Sequence, residues 1–136
     1  MRVFLDANVL FSAAKSDGAI RELLGILVAS GHRLVADAYV LEEARRNLER
    51  KGPAALDRLG EIIGDVELAA FRPPGRLPAA AGALPAKDAP VLSAAIRLKC
   101  DVLVTGDRTH FGPLFGRSIS GVTVYSPRML VEALRR

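Results

Sequence analysis

The stretch Arg2-Val3-Phe4-Leu5-Asp6-Ala7-Asn8-Val9-Leu10 decides the fold class. Val3-Phe4-Leu5 is a continuous apolar run with no helical period, so Arg2 to Leu5 reads as a short buried strand that ends at Asp6. From Asn8 to Ala14 the apolar residues fall at helical spacing, and a second helix runs from Ala19 to Ala29 after a break at Ser16-Asp17-Gly18, with Gly31 closing it. A strand leading directly into helices is the unit from which parallel sheets are built.

The rest of the chain repeats that alternation. Arg33 to Ala36 is a second strand, Tyr39 to Arg50 a helix stopped by Gly52-Pro53, Ala54 to Ile63 another helix, and Val66 to Ala70 a third strand. Phe71 to Lys87 carries four prolines (Pro73, Pro74, Pro78, Pro85) and reads as a surface loop. Asp88 to Lys99 is helical, Asp101 to Thr105 and Val122 to Tyr125 are strands, and Ser126-Pro127 opens a last helix to Leu134. The fold class is α/β, with helices covering both faces of a central parallel sheet.

The 136 residues, half of them hydrophobic, suffice for one domain spanning residues 1–136 with a real core, folding alone or as a small oligomer such as a homodimer. Cys100 is the only cysteine, which excludes an intrachain disulfide and a thiolate metal cage and suits a reducing compartment. The N-terminus lacks the apolar core of a signal peptide and no stretch reaches the roughly 20 apolar residues of a membrane span, so the expectation is a cytoplasmic protein with no membrane partner. Nineteen Lys and Arg against fifteen Asp and Glu leave a charge of +4, compatible with a polyanionic partner but no proof of one.

In open α/β sheets ligands bind beyond the carboxyl ends of the strands, and acids stand there. Asp6 ends the first strand; Asp107 follows the fourth through Thr105-Gly106. Asp88 lies in line with Leu92, Ala95 and Ile96, on the buried stripe of its helix, where it is either an N-cap or a ligand aimed at a partner. On the helix of Val40, Leu41, Ala44 and Leu48, Glu43 flanks the apolar stripe and can lean into a cleft, whereas Glu42 faces water. Four acids so placed match the oxygen-rich demand of Mg²⁺ or Mn²⁺, and His32 and His110 stand isolated, offering no zinc spacing.

The segments VFLDANVL (residues 3–10), YVLEEARRNL (39–48), KDAPVLSAA (87–95) and CDVLVTGDRTHF (100–111) resemble, in order and spacing, the acidic motifs of PIN-domain nucleases. The resemblance covers nearly everything from Arg2 to Phe111. It implies a three-layer α/β/α sandwich, an acidic cluster of Asp6, Glu43, Asp88 and Asp107 that binds Mg²⁺ or Mn²⁺, and support from Asn8 and Thr105. It further implies hydrolysis of RNA to 5′-phosphate and 3′-hydroxyl products, in a protein similar to VapC toxins that pair with an antitoxin, or in a stand-alone relative. One departure is that Arg108, Thr109, His110 and Phe111 follow the last motif where some members carry a further acid, which implies a second metal held weakly or only with substrate present.

Four carboxylates repel phosphate, so RNA also needs basic groups at the rim: Arg108 beside Asp107, and Arg46 with Arg45 and Arg50 on the helix of Glu43. Two other functions fit parts of the pattern. Asp6-Ala7-Asn8 and Lys87 imitate a haloacid-dehalogenase-like phosphatase, although its second aspartate is absent; a PIN-like scaffold that binds RNA or a partner without cutting is the non-enzymatic alternative.

Overall fold

A computed structural model of the chain describes residues 1–136. Six strands form one sheet: β1 (Arg2–Leu5), β2 (Arg33–Asp37), β3 (Val66–Ala69), β4 (Val102–Val104), β5 (Ser118–Ile119) and β6 (Val122–Tyr125). The helices are α1 (Ala7–Lys15), α2 (Ala19–Ala29), α3 (Ala38–Lys51), α4 (Leu56–Ile63), α5 (Ala89–Arg97) and α6 (Pro127–Leu134). No helix is long and apolar enough to cross a membrane.

The sheet order is β3-β2-β1-β4-β6-β5. All neighbours are parallel except β5 and β6. That antiparallel edge hairpin departs from the parallel sheet the sequence predicts, because β5 is two residues long and carries no periodic signal. Its two-residue connection is Ser120-Gly121, with φ of 50° and 86°, the left-handed pair that lets a tight turn match strand twist.

The chain moves outward from β1 to β2 and β3, then returns to place β4 on the other side of β1. Right-handed crossovers therefore put α1 to α4 over one face and α5 over the other. α1 packs against α2, α3 and α4, while α5 lies on β4. Between the layers sits one continuous cluster of 33 buried hydrophobic residues, including Phe4, Leu10, Leu48, Leu92, Leu103 and Phe111.

This topology determines where a site can form. At the β1/β4 reversal, connections leave in opposite directions and open a crevice at the carboxyl ends of the strands. Asp6 follows β1 and Thr105 follows β4. Their backbones prolong the ladder, Asp6 N–H donating to the Val104 carbonyl at 3.1 Å and Thr105 N–H to the Tyr125 carbonyl at 3.0 Å.

Candidate active site

Asp6 is 4% exposed and held on three sides. Its carboxylate accepts from the Ala7 amide at 2.7 Å, the Thr105 hydroxyl at 2.7 Å and Asn8 Nδ2 at 3.2 Å. Burial pushes its carboxyl up to about 6, against the hydrogen bonds from Thr105 and Ala7, with the negative charges of Glu43 and Asp88 adding to the rise.

Asn8 and Thr105 clip the two strand ends together. Asn8 Oδ1 accepts from the Gly106 amide at 2.8 Å, and Thr105 Oγ1 accepts from Asn8 Nδ2 at 3.3 Å and from the Asp107 amide at 3.1 Å. A Cβ at position 106 would stand 3.3 Å from Asn8 Oδ1, so glycine keeps this approach open. Where a phosphatase would need its second acid, Asn8 is occupied with this clip.

Asp88 occupies the N-cap position of α5 but makes no capping hydrogen bond. The residue is 8% exposed and lines the cleft instead. Burial raises its affinity for a proton, opposed by His110 and Lys87. Asp107 anchors its own turn, Oδ1 accepting from the His110 amide at 3.0 Å.

His110, isolated by spacing in the sequence, is not isolated in the fold. Its Nδ1 lies 2.8 Å from Asp88 Oδ2 and 3.1 Å from Asp107 Oδ2. The signal was the three-residue spacing Asp107–His110 within one turn. Though so close, Asp88 Oδ2 and His110 Nδ1 are not aligned as donor and acceptor, and both are buried without a hydrogen-bond partner. One ligand atom each from Asp88, Asp107 and His110 fall within 4.8 Å of one another. Two orphaned polar atoms among hard oxygen donors fit a divalent cation, because such atoms are costly unless something pairs with them.

α3 delivers the fourth acid. Asp37 caps it, accepting from the Val40 amide at 3.2 Å, and Val40, Ala44 and Leu48 form its buried seam. Glu43, on the seam's flank, lines a cleft of about 320 Å³ with Asp6, Asp88 and Asp107. The cleft contains no hydrophobic lining residue, and Lys87 stands at its edge. Glu42 points outward and pairs with Arg45 at 2.5 Å.

The rim arginines separate. Arg46 and Arg50 line a neighbouring hollow that shares Glu43 and Asn47 with the cleft. Arg108 is exposed and forms no ion pair. Arg45, also expected at the rim, is committed to Glu42 and Glu49 on the outer side of α3.

An α/β sandwich with a carboxylate cleft at its topological reversal has the open crevice and the oxygen donors that a divalent cation needs. The model of the PIN domain matches residues 2–109, and the chain belongs to that family of nucleases. Among proteins of established function no sequence matches the chain significantly. Similar solved structures include VapBC2 from Rickettsia felis bound to a DNA fragment from their promoter, with a TM-score of 0.66 and 18% identity over 93% of this chain and 98% of that one. VapBC-1 from nontypeable Haemophilus influenzae has a TM-score of 0.60 and 14% identity, covering 94% of this chain and 99% of that one. Mycobacterium tuberculosis VapC20, a sarcin-ricin loop cleaving toxin, has a TM-score of 0.57 and 15% identity over 82% and 94%. At these identities the likeness is one of fold.

Proposed function

We propose that the chain is a Mg²⁺- or Mn²⁺-dependent endoribonuclease acting as the toxin of a toxin–antitoxin pair. The observation that carries this is the convergence of Asp6, Glu43, Asp88 and Asp107, from four separate segments, on one cleft without hydrophobic lining. The toxin role draws support from the VapC likeness of the fold.

Asp6, Asp107, Asp88 and Glu43 would hold the metal, with His110 adjoining. Such an ion, when bound, neutralises phosphate charge and acidifies water. The chain's own groups prepare the site. The Thr105 hydroxyl and the Ala7 amide fix the Asp6 carboxylate in one orientation, and Asn8 ties it to the Gly106 turn that presents Asp107. Lys87, Arg46 and Arg108 give the rim the positive charge that draws an RNA backbone past four carboxylates.

Purified protein should cleave RNA only with Mg²⁺ or Mn²⁺, and Asp6→Asn and Asp107→Asn should each lower that activity at least about a hundredfold. Glu43→Gln should impair it strongly and Glu42→Gln barely. Expression of the wild type should arrest growth and Asp6→Asn should not. Metal-independent cleavage, or Mg²⁺ raising the melting temperature of Asp6→Asn as much as that of wild type, would remove these residues from the site; RNA binding without cleavage would leave the non-catalytic scaffold.

A further inference from the structure

Beside the acidic cleft lies a second surface that the proposed chemistry does not use. Tyr39, in the first turn of α3, donates its hydroxyl to the Lys87 carbonyl at 2.6 Å, next to Asp88. Its ring stacks on Phe71, with centroids 5.6 Å apart and planes inclined by 22°. Phe71 is 44% exposed, so the stacked pair leaves ring surface open to solvent. The chain continues directly from Phe71 into Arg72 and Arg76, which with Arg97, Ser93 and Ser120 line a shallow cleft of about 370 Å³.

The charge here is one-sided. Between Ala69 and Cys100 the only acid is Asp88, against Arg72, Arg76, Lys87, Arg97 and Lys99. Arg72 and Arg76 take part in none of the ion pairs of the molecule. Arg97 reaches back to the Ala70 carbonyl at 3.4 Å, which holds it against the same loop. Pro73 and Pro74 restrict the backbone between Arg72 and Arg76, so less conformational freedom is lost when the arginines engage a ligand.

We infer that Tyr39 and Phe71 form a stacking platform for an unpaired base of the RNA, and that Arg72, Arg76 and Arg97 carry the adjoining phosphates away from the cleft. An exposed aromatic face beside free arginines is the combination that binds single strands: the ring takes any base, and the guanidinium groups follow the backbone. A duplex cannot use it, because its bases are stacked on each other. The inference deepens the nuclease reading and rests on it, naming a single-stranded flank as the part of the substrate gripped outside the acidic cleft.

The test is binding of a single-stranded RNA oligonucleotide containing 2-aminopurine, followed by anisotropy and by base fluorescence in Ca²⁺ buffer, where binding is read without cleavage. Wild type should quench the 2-aminopurine. Phe71→Leu, which keeps apolar bulk but removes the ring, should abolish the quench and raise Kd roughly tenfold with an unchanged salt slope; Phe71→Trp should restore both. The double variant Arg72→Ala/Arg76→Ala should reduce the slope of log Kd against log salt by about 1 to 1.5. With inorganic polyphosphate as probe, the arginine variant should bind more weakly and Phe71→Leu should bind as wild type does. Retained quenching and wild-type Kd in Phe71→Leu would overturn the platform, as would an equal loss for polyphosphate. Failure of hydrolysis in Mg²⁺ would sink the nuclease reading instead, and it is measured separately from these binding arms.

Discussion

Asp6 shows what the candidate site costs the metal-free fold. Its carboxyl has an ordinary value of 3.8 and is held at about 6 in the folded protein, mainly by burial. Below about pH 4 the group is protonated in both folded and unfolded chains and costs nothing. Between 4 and 6 the unfolded chain gives up its proton while the folded one keeps it, so stability falls as pH rises; above 6 the full penalty stands, on the order of 3 kcal/mol. Asp6→Asn removes that penalty at nearly constant volume and forfeits the oxygen that accepts from both Thr105 and Asn8, about 1 kcal/mol for each bond lost. In chelator, Asp6→Asn should therefore melt above wild type at pH 7, with the gap closing toward pH 4. A gap independent of pH would mean that ionisation of Asp6 is not what burdens the fold.

At the scale of elements, two helix starts that look alike in sequence behave differently. Ser126 opens α6 and caps it, accepting from the Met129 amide at 3.1 Å, with Pro127 at the first helical position. Asp88 opens α5 with Pro90 nearby and caps nothing. Ser126→Ala should cost about 1 kcal/mol of stability. Asp88→Ala should cost the metal-free protein less than that, since no amide loses its partner, while weakening stabilisation by Mg²⁺. Chemical denaturation of the two variants with chelator present checks this, and an equal loss in both would show that Asp88 serves its helix. Periodicity could place the aspartate on the buried stripe of α5, but the choice between cap and cleft depends on a side-chain torsion that no local pattern specifies.

At the scale of the whole molecule, one core couples the elements. Cys100 is buried just before β4, and burial pushes its thiol up to about 11, so the native protein offers almost no thiolate to a labelling reagent. Labelling must then follow opening. Phe111, fully buried behind the Asp107 turn, belongs to the same 33-residue cluster. Phe111→Ala should cost about 3–5 kcal/mol and speed labelling of Cys100 roughly a hundredfold or more. Unchanged labelling would show that the β4 segment opens independently of that cluster.

The sequence by itself determined the strands and helices that carry the acids, because apolar runs at β1 and β4 and the seams of α3 and α5 are local signals of burial. Through its four acidic motifs it also named Asp6, Glu43, Asp88 and Asp107, and the phase of α3 separated Glu43 from Glu42. Only the tertiary structure decided that these acids share one cleft, since a reversal of strand order brings together positions up to about a hundred residues apart. It alone lodged His110 between Asp88 and Asp107, committed Arg45 to Glu42 and Glu49, and set Phe71 on Tyr39. The strand β5 also escaped the sequence, being too short for periodicity to register and held by its pairing with β6. Elements follow from patterns within a few residues, whereas side-chain partners across the sheet are chosen by packing and charge among segments that the linear order keeps apart.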